Sequence, residues 1–292
     1  PVAIVFSFGR YYLEETLFKD YETKRTRKAV TGALEWRPSD QLRAWLRGSF
    51  AEFNDDEYRN TLRFTYSDGK PKAGLTDQAG EFTGARLYKA LRHREQNNQI
   101  TTLNLGGEYT FGNGAVWDAT LAWARSEQTY PHRDELVYRS GTQTLTYDTT
   151  NHYAPTYSPF AGTYYSTPSN FSFRENTFRS NTTEQEDVSF KTNYELPTVI
   201  GGREVTLKFG AKYSTRDVSA DEERFRDRTQ TAPVNPGALA GLLSDRPSQN
   251  YDYNLGFKFD QGLASDYFDR IAATAKSAEA RRLPQSLTAA YT

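Results

Sequence analysis

One stretch decides the fold, residues 101–124, which reads TTLNLGGEYTFGNGAVWDATLAWA. Apolar and polar residues alternate on both sides of its centre, and this period of two is typical of β-strands whose faces meet different surroundings. At the centre, Gly112-Asn113-Gly114 supplies residues that tolerate the positive φ of a tight connection. The stretch therefore predicts two antiparallel strands joined by a hairpin turn, with one apolar face and one mixed, charged face.

Four further segments show the same alternation, so six strands can be read from the sequence. They lie near residues 25–37, 41–51, 188–196 and 205–213. Extended character continues beyond the apolar part of several strands, over residues 41–66, 86–111 and 203–228. These stretches are several times longer than the about 5 or 6 residues typical of strands in globular proteins. They predict long strands whose polar ends project into water.

Short and long connections alternate along the chain. Tight turns are predicted at Pro38-Ser39-Asp40, at Gly112-Asn113-Gly114 and around Pro197 to Gly202. Long excursions rich in Tyr, Thr, Ser, Asn, Pro and charged residues are predicted at residues 67–85, 141–172 and 229–284. Transmembrane β-barrels show this arrangement, with short turns on one side of the membrane and long loops on the other.

Composition excludes several classes of function. The net charge of -1 lacks the basic excess usual in nucleic-acid-binding proteins, so no nucleic-acid partner is expected. Cysteine is absent, and the three histidines have no paired metal-binding spacing, so neither a metal site nor a cofactor is expected. No serine–histidine–acid arrangement or nucleophile elbow supports an enzyme. A mean hydropathy of -0.78 and the lack of long apolar runs exclude a bundle of transmembrane helices.

The apolar face of the strands could be covered by a second sheet, as in a soluble sandwich, or by lipid around a closed barrel. Aromatic residues lie at two heights of the apolar stretch, as in the aromatic girdles of membrane barrels. The set near the tight turns comprises Trp36, Tyr109, Phe111, Trp117 and Tyr194, and the set farther away comprises Phe50, Trp123, Phe190 and Tyr213. We therefore predict an all-β, antiparallel transmembrane β-barrel with long extracellular loops.

Six strands cannot close a wide barrel, and an open sheet edge is costly in lipid. Residues 1–292 are therefore predicted to be part of a single outer-membrane barrel domain, with the remaining strands supplied by a longer parent polypeptide. A barrel shared among several chains is the alternative.

Several motifs resemble those of TonB-dependent outer-membrane receptors, most closely the Caulobacter- and Xanthomonas-like subgroup. They are LEWRPSDQL at residues 34–42, LRGSF at 46–50, NDDEYR at 54–59 and GGEYTFG at 106–112. The resemblance covers most of residues 20–217. It implies a 22-stranded barrel with an N-terminal plug domain, placed in the outer membrane among lipid and lipopolysaccharide.

The same resemblance implies active uptake of a scarce nutrient, such as an oligosaccharide or a siderophore chelate, with energy relayed by the TonB complex through an N-terminal region. Neither a plug domain nor a TonB box can be read in this chain, so both are expected in the missing part. Two alternatives stay open: a passive porin-like barrel, and a soluble carbohydrate-binding or adhesin β-domain.

Two sets of residues are candidates for function. Tyrosines in the excursion after residue 127 could stack on sugars or planar chelates, although packing within the loop is the simpler interpretation. The candidates for ligand contact are Tyr153, Tyr157, Tyr164 and Tyr165. Charged residues on the mixed face of the strands are predicted to face the lumen, where solvated wall residues are the default. These are Arg43, Arg47, Glu108, Lys208 and Lys212.

Three weaker signals complete the sequence interpretation. The acidic run Asn54-Asp55-Asp56-Glu57 is expected to form a bulge or an ion-pair network with Arg59 rather than a calcium loop. His132 and His152 share one excursion, but two histidines twenty positions apart in a loop are weak support for a shared metal. Residues 265–282 are predicted to be a helix in the last excursion.

Overall fold

In a computed structural model, the chain is an all-β protein apart from short helical segments. The structure describes residues 2–7, 10–158, 164–228, 243–244, 249–250, 253–260, 266–270 and 281–287. Fifteen strands lie in this described part: β1 (Val2–Ser7), β2 (Arg10–Trp36), β3 (Leu42–Thr65), β4 (Lys70–Pro71), β5 (Ala79–Thr110), β6 (Val116–Ser140), β7 (Gln143–Asp148), β8 (Thr156–Ser158), β9 (Phe171–Ile200), β10 (Arg203–Asp227), β11 (Leu243–Ser244), β12 (Gln249–Asn250), β13 (Tyr253–Asn254), β14 (Lys258–Phe259) and β15 (Arg281–Leu287).

One antiparallel sheet contains all the long strands, in the order β1-β2-β3-β5-β6-β9-β10-β15. The short strands β4 and β7 pair with β5, and β8 pairs with β7. Two further pairs, β11 with β14 and β12 with β13, stand apart from the main sheet. The six strands predicted from the sequence are β2, β3, β5, β6, β9 and β10, and these predictions are confirmed. At 24 to 32 residues each, they are longer than the alternating segments alone indicate.

Three tight turns join neighbouring long strands, as predicted. Gly114 has a φ of 80° in the turn between β5 and β6, where a side chain would strain the backbone. The turn between β9 and β10 is shorter than the sequence indicates, because Pro197 continues β9 and pairs with Thr206. Only Gly201 and Gly202 turn the chain there, with φ values of 60° and 77°. Two consecutive residues of positive φ match the twist of the flanking strands.

Each long strand divides into two parts with different surroundings. The turn half of the sheet, next to the tight turns, comprises residues 28–36, 42–52, 99–110, 116–127, 184–200 and 203–219. The loop half comprises residues 10–27, 53–65, 79–98, 128–140, 171–183 and 220–227. In the turn half, large apolar side chains on one face are exposed, including Leu34, Leu105 and Phe209. In the loop half, apolar side chains on the same face, such as Leu62 and Leu91, are buried.

The excursions build a core against this face of the loop half. Phe18 of β2 meets Tyr157 with ring centroids 5.5 Å apart, and Tyr66 meets Tyr147 at 5.1 Å. Phe268 contacts Phe178 of β9 at 6.5 Å. The expectation that the far ends of the strands project into water is therefore wrong for this face, because the excursions fold back and cover it.

Two polar side chains of the sheet hold the segment 253–260 in place. Asn60 donates to the carbonyl oxygen of Phe259 at 3.1 Å and accepts from its backbone N–H at 2.8 Å. Lys89 donates through Nζ to the carbonyl oxygens of Leu255 and Phe257, the latter at 3.0 Å. Burial lowers the pKa of Lys89 to about 7.

Helical structure is limited to short pieces in the described ranges. One-turn 3₁₀ segments lie at Tyr66–Asp68, Tyr164–Ser166 and Pro168–Asn170, and residues 266–270 are α-helical. None of these helices has the length and apolar character needed to cross a bilayer. The helix predicted over residues 265–282 is wrong at its C-terminal end, because Arg281 and Arg282 belong to β15 and pair with β10. Residues 271–280 lie outside the described residues.

Candidate functional site

The five charged residues predicted to face a lumen lie on one face of the sheet, which we call the polar face. Arg43 pairs in register with Glu108, Arg47 with Asn104, and Lys208 with Glu195. Lys212 pairs with Lys191. Because directly paired residues of antiparallel strands point to the same side, this polar face continues across β3, β5, β9 and β10.

Ion pairs organise the polar face in the turn half. Glu35 accepts a hydrogen bond from Arg43 at 2.9 Å and another from Arg37 at 2.6 Å. Lys208 forms a salt bridge with Glu195. These side chains are largely exposed, and water screens the attraction within exposed ion pairs. They therefore give the face its polarity rather than its stability.

Trp45 is an aromatic residue on the polar face of the turn half. Its ring has the guanidinium groups of Arg43 and Arg47 at 5.6 Å and 5.5 Å from the ring centroid. The ring lies against Gly106, its register partner, and a Cβ at Gly106 would come within 2.4 Å of the Trp45 ring. The missing side chain at Gly106 thus makes room for Trp45, a role that the alternation pattern alone does not reveal.

An arginine-rich cavity lies in the loop half of the polar face. This arginine pocket has a volume of about 220 Å³. Residues of β2, β3, β5, β6 and β9 contribute to its wall. Its charged lining residues are Arg59, Arg63, Arg174, Arg228, Glu135 and Glu175. Four guanidinium groups against two carboxylates leave the pocket with a positive excess.

Two arginine donors at the arginine pocket are unsatisfied within the described part of the chain. The Nε atoms of Arg59 and Arg63 are buried and have no hydrogen-bond partner among the described residues. Nearby, the pKa of Arg92 is lowered, first by burial and then by the positive charges of Arg59 and Arg133. Guanidinium groups bind carboxylate and phosphate oxygens in a bidentate manner. An anion is therefore the ligand that this arrangement favours.

The sequence contains a signal for this pocket that the prediction did not use. Arg59 and Arg63 follow Arg43 and Arg47 on β3 at odd positions. In a strand without a bulge, residues of the same parity share one face. The polar face could therefore have been followed along β3 from the turn half into the arginine pocket.

The four candidate tyrosines do not converge on one site. Tyr165 is buried, and Tyr157 packs on Phe18 and Phe64 in the core of the loop half. Tyr164 is half-buried with its ring 6.4 Å from Phe171. Tyr153 is fully exposed. Packing within the excursion accounts for Tyr157, Tyr164 and Tyr165, and ligand contact by any of the four stays a prediction.

The acidic run of β3 forms an ion-pair network, as expected, but with different partners. Arg94 of β5 binds Asp55 at 3.1 Å and Glu57 at 2.9 Å, and Arg25 binds Asp55 at 3.2 Å. Arg59, the expected partner, lies 3.7 Å from Glu135 instead. Strand register explains the difference, because Glu57 pairs directly with Arg94 and Asp55 pairs directly with Arg25.

The structure brings together two histidines other than the pair that shares an excursion. The ring of His132 stacks on that of His93, with centroids 5.4 Å apart. His152, which shares the predicted excursion with His132, is exposed on its loop. Register explains this, because His132 pairs with Glu95 of β5, two residues from His93.

Comparison with known proteins adds little to this picture. No family model matches the chain, and no curated protein matches it. A solved structure described as "Pore forming protein" aligns with 78% of this chain and 96% of its own, at 10% sequence identity and a TM-score of 0.10.

Proposed function

We propose that the chain forms part of the wall of a bacterial outer-membrane β-barrel that takes up a scarce nutrient, in the manner of TonB-dependent receptors. The apolar face of the turn half would meet lipid, and the polar face would line the passage. The protein would act as a transporter and carry out no catalysis.

One row of residues across six strands carries this proposal. It consists of Leu34, Leu46, Leu105, Leu121, Phe190 and Tyr213, which are linked pairwise by the register of β2, β3, β5, β6, β9 and β10. All six side chains are between 41% and 70% exposed. Burying such a side chain contributes about 1.5–3 kcal/mol, so leaving this row in water is costly. Lipid is the environment that removes this cost without a second protein layer.

The apolar band of β6 is somewhat shorter than that of outer-membrane barrels but has aromatic residues at both of its borders. On β6 the apolar face runs from Trp117 to Trp123, and Arg125 is the first charged residue on that face. The eight residue steps from Trp117 to Arg125 span about 27 Å along the strand, or about 19 Å in height at a tilt near 45°. Outer-membrane barrels have an apolar band about 25 Å tall with aromatic residues at both borders.

The charge of the arginine pocket favours an anionic cargo. It lies on the polar face, in the loop half, where a solute entering from the side of the long excursions would meet it. A chelate carrying carboxylates or an acidic oligosaccharide would satisfy its guanidinium donors. Both fall within the nutrient classes that the resemblance implies.

Tryptophan quenching tests membrane insertion, because the four tryptophans divide between the two faces. Trp36, Trp117 and Trp123 lie on the apolar face, and Trp45 lies on the polar face. Single-tryptophan variants of the full chain, with the other three changed to Phe, are reconstituted in vesicles with brominated acyl chains. We expect strong quenching of the three apolar-face residues and weak quenching of Trp45, which serves as the matched control. Equal quenching of all four, or none, would overturn the proposal.

A separate experiment tests energy coupling. Cells that produce the parent protein are compared for uptake of the cargo with and without a functional TonB gene. Loss of uptake in the TonB mutant supports active import, whereas unchanged uptake indicates a passive porin-like barrel. A chain that stays monodisperse in buffer without detergent would instead favour the soluble adhesin alternative.

A further inference from the structure

Two histidines and one aspartate meet on neighbouring strands of the loop half. His93 of β5 pairs directly with Asp134 of β6, and His132 pairs with Glu95 one position farther along the same face. A ligand atom from each of His93, His132 and Asp134 lies within 4.8 Å of the other two. The three residues are therefore brought together by strand register rather than by a flexible loop.

A bulge in β6 contributes to this arrangement. Asn97 of β5 pairs with Thr129 of β6, and Glu95 pairs with His132. Between these two pairs, β6 has one more residue than β5. Such a bulge redirects the side chains that follow it and is often found beside functional sites. Here it keeps His132 on the same face as His93.

The cluster is largely shielded from water. His93 and Asp134 are buried, at 7% and 4% exposure, and His132 is half-buried. His93 is held between Tyr58, stacked at 4.3 Å between centroids, and His132, stacked at 5.4 Å. A cavity of about 50 Å³ adjoins His132 and Asp134, although His93 does not line it, and it has room for a water molecule beside the cluster.

A supporting carboxylate is also in place. Asp56 of β3 lies 3.0 Å from Nε2 of His93. Carboxylates that accept a hydrogen bond from one ring nitrogen orient the imidazole and leave the other nitrogen free for a metal. This contact would fix both the tautomer and the ring plane of His93.

We propose that His93, His132 and Asp134 bind a divalent transition-metal ion of the zinc type. Two imidazoles and one carboxylate form a donor set that such ions bind, with a fourth position open to water or to a further ligand. The ion would link β5 to β6 across the bulge. This site lies on the face opposite the arginine pocket, so it is independent of the proposed transport function.

Cobalt titration of the full chain in detergent micelles tests the site. Co²⁺ is followed by its visible absorption and then displaced with Zn²⁺. We expect one ion per chain and loss of the signal on addition of Zn²⁺. Removing an outer-shell carboxylate typically costs about 10–100-fold in affinity, so Asp56→Asn should weaken binding by that factor, and His93→Gln, His132→Gln or Asp134→Asn by more.

The chain supplies its own control, because its only other histidine is His152. His152→Gln should leave Co²⁺ affinity unchanged. If His152→Gln weakens binding as much as His93→Gln, or if the wild-type chain binds no Co²⁺ at 100-fold molar excess, the site does not exist. X-ray absorption of the zinc-loaded wild-type chain gives a readout that needs no variant: two imidazole ligands support the assignment, and none overturns it.

Discussion

Placing an arginine in the exposed apolar row should separate a lipid-facing surface from a merely exposed one. The substitution is Leu121→Arg, at the centre of the apolar band of β6. Its matched control is Ala122→Arg, the next residue, which lies on the polar face beside its register partners Asn104 and Ser189. The two variants add the same side chain at nearly the same height, so they differ mainly in the face that receives the charge.

The expected cost follows from the position of Leu121. It lies four residues from Trp117 and four from Arg125, which places it about 10 Å in height from either border of the band. An arginine on the lipid face near the middle of a bilayer costs about 2–4 kcal/mol in transmembrane barrels. This corresponds to a roughly 30- to 1000-fold change in the equilibrium constant of insertion. Ala122→Arg should change that constant by less than about threefold, because the polar face is hydrated.

The assay measures denaturant-dependent insertion of the chain into phosphatidylcholine vesicles, with tryptophan fluorescence and flotation as independent readouts. Leu121→Arg should move the insertion midpoint to lower denaturant, and Ala122→Arg should follow the wild type. The reasoning is refuted if the two variants shift the midpoint equally, or if Ala122→Arg shifts it more. Either result would mean that this face does not contact hydrocarbon.

Two further predictions concern the loop half and the polar face. The pKa of Lys89 is about 7 in the folded chain against about 10.5 when unfolded, so the open state binds more protons between these values and docking of residues 253–260 should strengthen as pH rises from 7 to 9. Hydrogen exchange of that segment should slow over this range beyond the intrinsic trend, and Lys89→Met should abolish the effect. Gly106→Val should cost about 1–3 kcal/mol and red-shift the emission of Trp45, because the new side chain overlaps its ring. Gly107→Val on the opposite face, where a Cβ comes no nearer than 3.6 Å to other atoms, is the control.

The turn half could be predicted because its determinants are local. Alternation in the sequence fixes which residues share a face, and short turns leave few possible registers between neighbouring strands. The pairing of Leu105 with Leu121 follows directly from the turn at Gly112-Asn113-Gly114. Where a proline intervened, the prediction failed by a few residues: Pro197 stays in the strand although its ring removes a backbone donor.

The loop half could not be predicted, because its core joins residues far apart in the chain. Phe18 and Tyr157 pack together although they are 139 positions apart in the chain, and no periodic pattern connects them. The histidine cluster was missed for a related reason. His93 belongs to a strand and His132 follows a bulge, so only the register of β5 with β6 reveals their proximity.

The same face of the same strands thus has two environments, and a row of polar residues separates them. Lys28, Glu52, Gln99, Glu127 and Glu184 are register partners across five strands at this border. Lys28 and Glu52 lie 3.5 Å apart as an ion pair. On the turn side of the row the apolar residues are exposed, and on the loop side the excursions bury them.

The position of this border explains why the strands are so long. A strand that crosses only hydrocarbon needs about 9 to 11 residues, and these strands have more than twice that number. Charged and amide side chains at the border are compatible with the headgroup region of a bilayer but not with its interior. In the proposed barrel, the loop half would stand outside the hydrocarbon, where only protein can cover its apolar side chains. The aromatic residues of the excursions are therefore needed for packing, which is why their abundance alone did not identify a ligand site.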